Sequence, residues 1–306
     1  MRIVFAGSPA AAVPSLRALA SSDHRVVAVV TREDSPQGRR RVLTPTPVAV
    51  AAAELSIPVL RANRLTDSIS SEIAALDADL GVIVAYGALV REPLLSTPRL
   101  GWINLHFSLL PRWRGAAPVQ HAIIAGDEHT GATVFQLVPE LDAGDILGQL
   151  GETIGGMQTA GALLEELAVS GADLVVRVVD ALESGAARPV PQVGEVTLAP
   201  KLSLEDGRID WSEPASSVHN RVRGVTPEPG AFTMVGDDRV KVLATAIARD
   251  ALPLPAGEIE LRGKTVHIGT GTEPIELLTV QPAGRTAMDA AAWWRGRPPG
   301  SVTSAS

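Results

Sequence analysis

Residues 3–12, I-V-F-A-G-S-P-A-A-A, set the reading of the first two hundred positions. The apolar run at 3–6 has the unbroken, β-prone character of a strand buried on both faces. A Gly-Ser-Pro turn follows, and residues 10–20 then take on helical character. The strand signal recurs at 26–30, 80–85, 103–105 and 133–138, with helical segments at 47–55 and 67–76 between. Such alternation predicts a doubly wound α/β domain on a mostly parallel sheet, Rossmann-like in form, with its strands buried. The turn at Gly7 lacks the G-x-G-x-x-G glycines that admit a dinucleotide pyrophosphate, so no NAD cofactor is expected.

Further along, Leu163, Leu164, Leu167, Leu174, Val175, Val178 and Leu182 recur at helical spacing within 157–183, marking a helix that closes the first domain. The stretch A-R-P-V-P-Q-V-G-E at 187–195 reads as an extended linker. Short strand-like runs at 232–235, 240–244, 257–261 and 265–269 then predict a small β-barrel. The expected organisation is a first domain at 1–188, a linker at 189–204 and a C-terminal β-barrel at 205–306. The tail from Arg295 onward is expected to fray.

Bulk properties narrow the class. A chain of 306 residues is long enough for about two domains. Zero cysteines exclude disulfides and cysteinyl metal sites, and the histidine spacing proposes no metal. The N-terminal apolar run is too short for a signal peptide, and no apolar run approaches the roughly 20 residues of a membrane span. A soluble cytoplasmic enzyme is expected. The net charge of -7 opposes a polyanionic partner unless basic residues cluster. The deficit is uneven: residues 1–200 carry 15 basic and 21 acidic side chains, residues 201–306 carry 12 and 13.

The chemistry concentrates in N-L-H-F-S-L-L-P-R-W-R-G-A-A-P at 104–118 and L-D-A-G-D at 141–145. Asn104 and His106 are two apart on a strand and project from one face. An amide and an imidazole can stabilise the oxyanion formed when a nucleophile attacks a carbonyl, at about 3 kcal/mol per donor. Asp142 can raise the proton affinity of the imidazole and orient it. Asp145 is the competing carboxylate. Ser108 lacks the G-x-S-x-G elbow of a covalent nucleophile, so direct attack by a substrate amine is the reading. Taken alone, His106 suits an ordinary core histidine and Asp142 a turn former; Asn104 on the same strand face favours catalysis for His106, and Asp142 and Asp145 stay open on these grounds.

These residues resemble the folate-dependent formyltransferases, in which an Asn, a His two residues later and a downstream Asp form the catalytic set. The similarity extends to F-A-G-S-P at 5–9, Q-G-R-R-R-V-L-T-P-T-P-V at 37–48, V-A-Y-G at 84–87 and K-L-S-L-E-D-G-R-I-D-W at 201–211. The R-W-R-G-A-A-P continuation and the segment at Lys201 narrow it to the branch that acts on tRNA. The resemblance implies catalytic roles for Asn104, His106 and Asp142. It implies a folate site at Ser108, Leu109, Leu110 and Pro111 with Tyr86 and Gly87, and a C-terminal barrel of the OB type.

The activity implied is formyl transfer from 10-formyltetrahydrofolate, as co-substrate, to the α-amino group of methionine on initiator methionyl-tRNA. A small amine such as an amino sugar nucleotide is the alternative acceptor. The resemblance also implies that the long basic loop at 32–47, with Arg39, Arg40 and Arg41, grips the acceptor end of the tRNA. Arg40 stands where the family pattern commonly has glycine. Lys201 and Arg208 are candidate tRNA contacts near the domain join, against the plain alternative of a surface linker with local ion pairs. A monomer is expected.

Overall fold

A computed structural model describes residues 1–306 except Arg39, Pro299 and Gly300. Two compact units divide the chain: Met1–Pro118, His129–Thr153 and Leu164–Ala199 form one, and Val119–Glu128, Ile154–Leu163 and Pro200–Ser306 form the other.

In chain order the first elements are β1 (Arg2–Gly7), α1 (Val13–Ala20), β2 (Arg25–Thr31), β3 (Ser35–Gln37), β4 (Val42–Thr44) and α2 (Pro47–Glu54). There follow β5 (Val59–Arg61), α3 (Asp67–Ala74), β6 (Leu80–Val84), β7 (Trp102–His106) and β8 (Arg114–Gly115). After α4 (Pro118–Ala125) come β9 (His129–Gln136), β10 (Ile146–Thr153), α5 (Ala160–Glu183) and β11 (Leu198–Ala199).

The first unit is built on a seven-stranded sheet of order β10-β9-β7-β6-β1-β2-β5. The five strands β5, β2, β1, β6 and β7 pair in parallel. β9 runs antiparallel to β7, and β10 antiparallel to β9. Residues 133–138, expected among the parallel strands, therefore belong in part to an antiparallel one. Six successive residues of β9 are buried, so both its faces are covered and its apolar run matches that of a parallel strand. Periodicity carries no information on direction.

Trp102 opens β7 and is fully enclosed, its Nε1 donating to the Leu94 carbonyl at 2.9 Å. Its ring lies against Gly81 of β6, where a Cβ would approach ring carbons to 2.1 Å. The glycine makes room for the indole, and the indole seats the strand that continues to Asn104 and His106. Within the long loop after β2, β3 and β4 form an antiparallel hairpin, which proline, glycine and charge hid from the sequence pattern. The loop ends where the Thr46 hydroxyl accepts from Ala49 N at 3.1 Å, capping α2 with Pro47 in its first turn.

The second unit contains α6 (Ala215–Gly224), β12 (Phe232–Val235), β13 (Asp238–Ile247), β14 (Ile259–Arg262), β15 (Thr265–Ile268), β16 (Ile275–Pro282), β17 (Met288–Asp289) and α7 (Ala290–Arg295). The sheet order is β12-β13-β16-β15-β14, with β17 also on β16, and every pairing is antiparallel. Trp211, Val218 and Val222 pack with Val242, Val266, Ile268 and Ile275 in its core.

The named strands leave this sheet open between β12 and β14, and the end of the chain lies between those edges. Met234 and Ser306 exchange backbone hydrogen bonds at 2.8 and 2.9 Å. On the other side Ile259 N donates to Thr303 O at 2.7 Å and Ala305 N to Gly257 O at 2.8 Å. The tail expected to fray is tied down at 303–306. Its polar, small-residue composition carried no strand signal, and only the two waiting edges supply its partners.

Candidate active site

Asn104 and His106 lie on one face of β7 and both line a cavity of about 350 Å³ at the carboxyl ends of the strands. This is where open α/β sheets place their ligand crevices. The loop after β6 contributes Tyr86 and Gly87 to the wall, and the loop after β9 contributes Asp142.

His106 is buried, with Nε2 at 2.8 Å from the Trp113 carbonyl oxygen. A carbonyl only accepts, so Nε2 carries the proton and donates. In the neutral ring Nδ1 is then the bare nitrogen, 3.8 Å from Asp142 Oδ2 and beyond hydrogen-bond range. Burial holds the His106 pKa below the usual histidine value, against the opposing pull of the Asp142 carboxylate and the Trp113 carbonyl. The site therefore presents a neutral imidazole whose basic nitrogen has a carboxylate beside it.

Asp142 is held in a left-handed conformation, φ +46°, and its Oδ2 accepts from Gly115 N at 2.8 Å. Two residues on, a Cβ at Gly144 would lie 1.7 Å from the Gln136 carbonyl oxygen, so the L-D-A-G-D sequence needs its glycine for backbone approach. Asp145 is exposed and forms no part of the cavity wall.

Tyr86 turns its hydroxyl into the core, donating to the Ala62 carbonyl at 2.7 Å, while the Gly87 carbonyl accepts from Arg32 Nη2 at 2.8 Å. Ser108, Leu109, Leu110 and Pro111 lie outside the wall. The Ser108 hydroxyl is enclosed and donates to the Arg112 carbonyl at 2.6 Å, and Leu110 N donates to the Thr133 hydroxyl at 3.2 Å. In their place the wall takes Ala88, Leu89 and Val90 together with residues 137–141. Sequence reasoning named Tyr86, Gly87 and Asp142 in these two loops but passed over their apolar neighbours. Their one legible signal was position: each follows a strand that pairs with β7.

Arg40 and Arg41 are exposed on the turn between β3 and β4; Arg39 lies outside the described residues. Lys201 and Arg208 are exposed in the second unit, with Arg208 at 3.7 Å from Glu205. Among the described residues, no group of three or more His, Asp or Glu is placed to hold a metal ion, and no helix is long and apolar enough to cross a membrane.

Burial also lowers the pKa of His219, which lies between the Thr245 hydroxyl and the Gly156 carbonyl, and of His267 in the second unit. A histidine held neutral in the fold contributes stability above its unfolded pKa, near 6.5, and loses it as pH falls toward the folded value. Tm is therefore expected to be level from about pH 8 to 7 and to fall between about pH 6.5 and 5. The acid-shifted carboxylates Asp79 and Asp206 would add to the loss only at lower pH. A Tm that stays constant down to pH 5 would contradict the burial argument.

Two family models match the chain: formyl transferase over residues 1–179 and formyl transferase, C-terminal domain, over residues 201–298. The chain belongs to the formyl transferase family. Among its curated relatives, the methionyl-tRNA formyltransferase of Clavibacter sepedonicus is 59% identical over 97% of each chain. That of Leifsonia xyli subsp. xyli is 57% identical, again over 97% of each. Solved structures share the fold at low identity. An N-formyltransferase from Helicobacter canadensis, in complex with folinic acid and dTDP-3-aminofucose, superposes with a TM-score of 0.69 at 16% identity, covering 90% of this chain and 98% of that one. A HypX variant from Aquifex aeolicus gives 0.64 at 19% identity, covering 97% of this chain and 48% of that one.

Proposed function

We propose that this protein transfers a formyl group from 10-formyltetrahydrofolate to the α-amino group of methionine on initiator methionyl-tRNA, in the service of translation initiation. The observation that carries the reading is the convergence of Asn104, His106 and Asp142 on one cavity. It occurs in a chain 59% identical over nearly its whole length to a methionyl-tRNA formyltransferase.

The cavity suits the folate co-substrate: it is of small-ligand size and lined largely by aliphatic side chains, with Asn104, His106 and Asp142 in its wall. Tyr86, Gly87 and the loops at 88–90 and 137–141 would hold the pterin. The co-substrate supplies the formyl group. An α-amino group has a pKa near about 8, so a substantial neutral fraction is available to attack at physiological pH.

Nδ1 of His106 is the bare nitrogen in the neutral ring and would take the proton that the attacking amine sheds. The imidazolium so formed gains a second N–H directed at Asp142, whose carboxylate would stabilise it. Asn104 would donate its amide hydrogen to the formyl oxygen as negative charge builds there. His106 would then return the proton to the departing folate nitrogen. With Nε2 already donated to Trp113, this geometry favours proton transfer at His106 and leaves the oxyanion to Asn104.

The tRNA would be contacted by Arg39, by Arg40 and Arg41 on the turn between β3 and β4, and by Lys201 and Arg208 in the second unit. Residues 1–188 would be the catalytic domain, 189–204 the linker and 205–306 the tRNA-binding domain, in a cytoplasmic monomer. Replacing both Arg40 and Arg41 by Ala is expected to raise the KM for methionyl-tRNA about tenfold and to reduce its salt dependence by roughly one to two units of log-log slope, with the folate KM unchanged. Equal KM values at 50 and 200 mM salt for variant and wild type would place the tRNA elsewhere.

The deciding experiment is transfer of labelled formyl to charged initiator tRNA, with elongator methionyl-tRNA, uncharged tRNA and an amino sugar nucleotide as competing acceptors. Labelling of the sugar nucleotide in preference to the tRNA would overturn the reading.

A further inference from the structure

Residues 180–200 lie between the two family-model matches, yet part of this stretch is fastened to the candidate site. Val190 and Ile146 exchange backbone hydrogen bonds at 2.8 and 2.9 Å, joining the stretch to the strand that follows the Asp142 loop. At its other end, Arg114 N donates to Thr197 O and Trp113 N to the Thr197 hydroxyl, both at 2.9 Å. There β11 pairs in parallel with β8, and Ala117 N donates to Ala199 O at 3.1 Å. Residues 190–199 thus form a strap from the loop that carries Asp142 to the segment that follows His106.

Gln192 sits in the middle of this strap with its amide fully used. Nε2 donates to the carbonyls of Asp142 at 2.8 Å and Gly144 at 2.9 Å. Oε1 accepts from Arg114 Nε at 3.1 Å and Nη2 at 2.6 Å. The residue after Arg114 is Gly115, whose N–H donates to the Asp142 carboxylate. The contacts therefore close a ring: Arg114 side chain to Gln192, Gln192 to the Asp142 backbone, the Asp142 carboxylate to Gly115, and Gly115 back to Arg114 through one peptide bond. A φ of +46° is uncommon for a residue other than glycine, even for Asp, which adopts it more readily than most, and from this conformation the Asp142 carboxylate lies 3.8 Å from Nδ1 of His106.

We propose that Gln192 is a positioning residue for formyl transfer, holding the Asp142 loop so that its carboxylate faces His106, with Arg114 fixing the amide in the orientation that donates to the loop. This rests on the role proposed above for the His106 and Asp142 pair. Gln192 touches neither substrate in this account, so its removal acts on turnover and not on binding.

The test is a double-mutant cycle with Asp142→Asn, read by single-turnover formyl transfer to methionyl-tRNA, with Tm recorded for each variant. Gln192→Ala is expected to lower the rate 10- to 100-fold with both KM values within about twofold of wild type. Gln192→Glu keeps the acceptor for Arg114 but cannot donate to the two carbonyls, so it is expected to fail to rescue; it also serves if the Ala variant does not fold. In the Asp142→Asn background, Gln192→Ala is expected to cost less than about twofold more. A wild-type rate in Gln192→Ala or Gln192→Glu, or the same loss in both backgrounds, would overturn the inference while leaving the proposed function standing. Absence of transfer by the wild type, or a wild-type rate in Asp142→Asn alone, would take down the reading of the site and this inference with it.

Discussion

His106→Ala is expected to lower the single-turnover rate of formyl transfer by about a thousandfold, the middle of the range for loss of a positioned general base. The expectation follows from the state of the ring. The hydrogen bond from Nε2 to Trp113 fixes the tautomer, burial keeps the ring neutral, and Asp142 waits at 3.8 Å for the charge that arrives with the proton. Alanine removes all three properties at once and leaves Asn104 to act alone. The dissociation constants of methionyl-tRNA and a folate analogue should stay within about threefold, because the cavity walls from the flanking loops remain. A variant that keeps more than a tenth of the wild-type rate would exclude His106 as the base.

The second large effect is on stability. Trp102→Ala is expected to cost about 4 kcal/mol, within the range for emptying a fully buried indole site, and to be read as a lower urea midpoint for the first unit. The loss combines the apolar burial of the ring, its hydrogen bond to Leu94, and a void over Gly81 that the sheet cannot collapse to fill. Gly81→Ala attacks the same contact from the other side, since its Cβ would enter the ring. Both changes disturb the first residue of the strand that carries Asn104 and His106, so turnover should fall along with stability. A cost below about 1 kcal/mol for Trp102→Ala would mean that the indole does not seat this strand.

Most of the architecture was legible in the chain because it rests on long, regular signals. The apolar runs that became β1, β2, β6 and β7 and the spaced leucines and valines of α5 each repeat one period over enough residues to be unambiguous. What escaped was encoded by neighbours. β5 spans three residues, β10 contains Gly148 and Gly151 in place of an alternating face, and the antiparallel direction of β9 depends on what it pairs with. The same division holds for the site. Asn104 and His106 share a strand, so their common face is a matter of counting. The Asp142 conformation depends on Gln192, fifty positions away, and no local pattern announces it. The burial of Ser108 and Leu110 behind the cavity is likewise decided by the Arg112 and Thr133 groups that claim their polar atoms.

The pairing of residues 303–306 with both β12 and β14 bears on solubility as much as on folding. An unpaired sheet edge is a template for another chain, and these four residues cover two such edges with one short segment. Proteolytic trimming at the tail would uncover both rows of backbone donors and acceptors together, on a sheet whose inner face is Val, Ile and Leu. The trimmed protein should self-associate before it loses secondary structure. In preparations of this protein, intact mass at the C-terminus is therefore a better guide to shelf life than the circular dichroism spectrum.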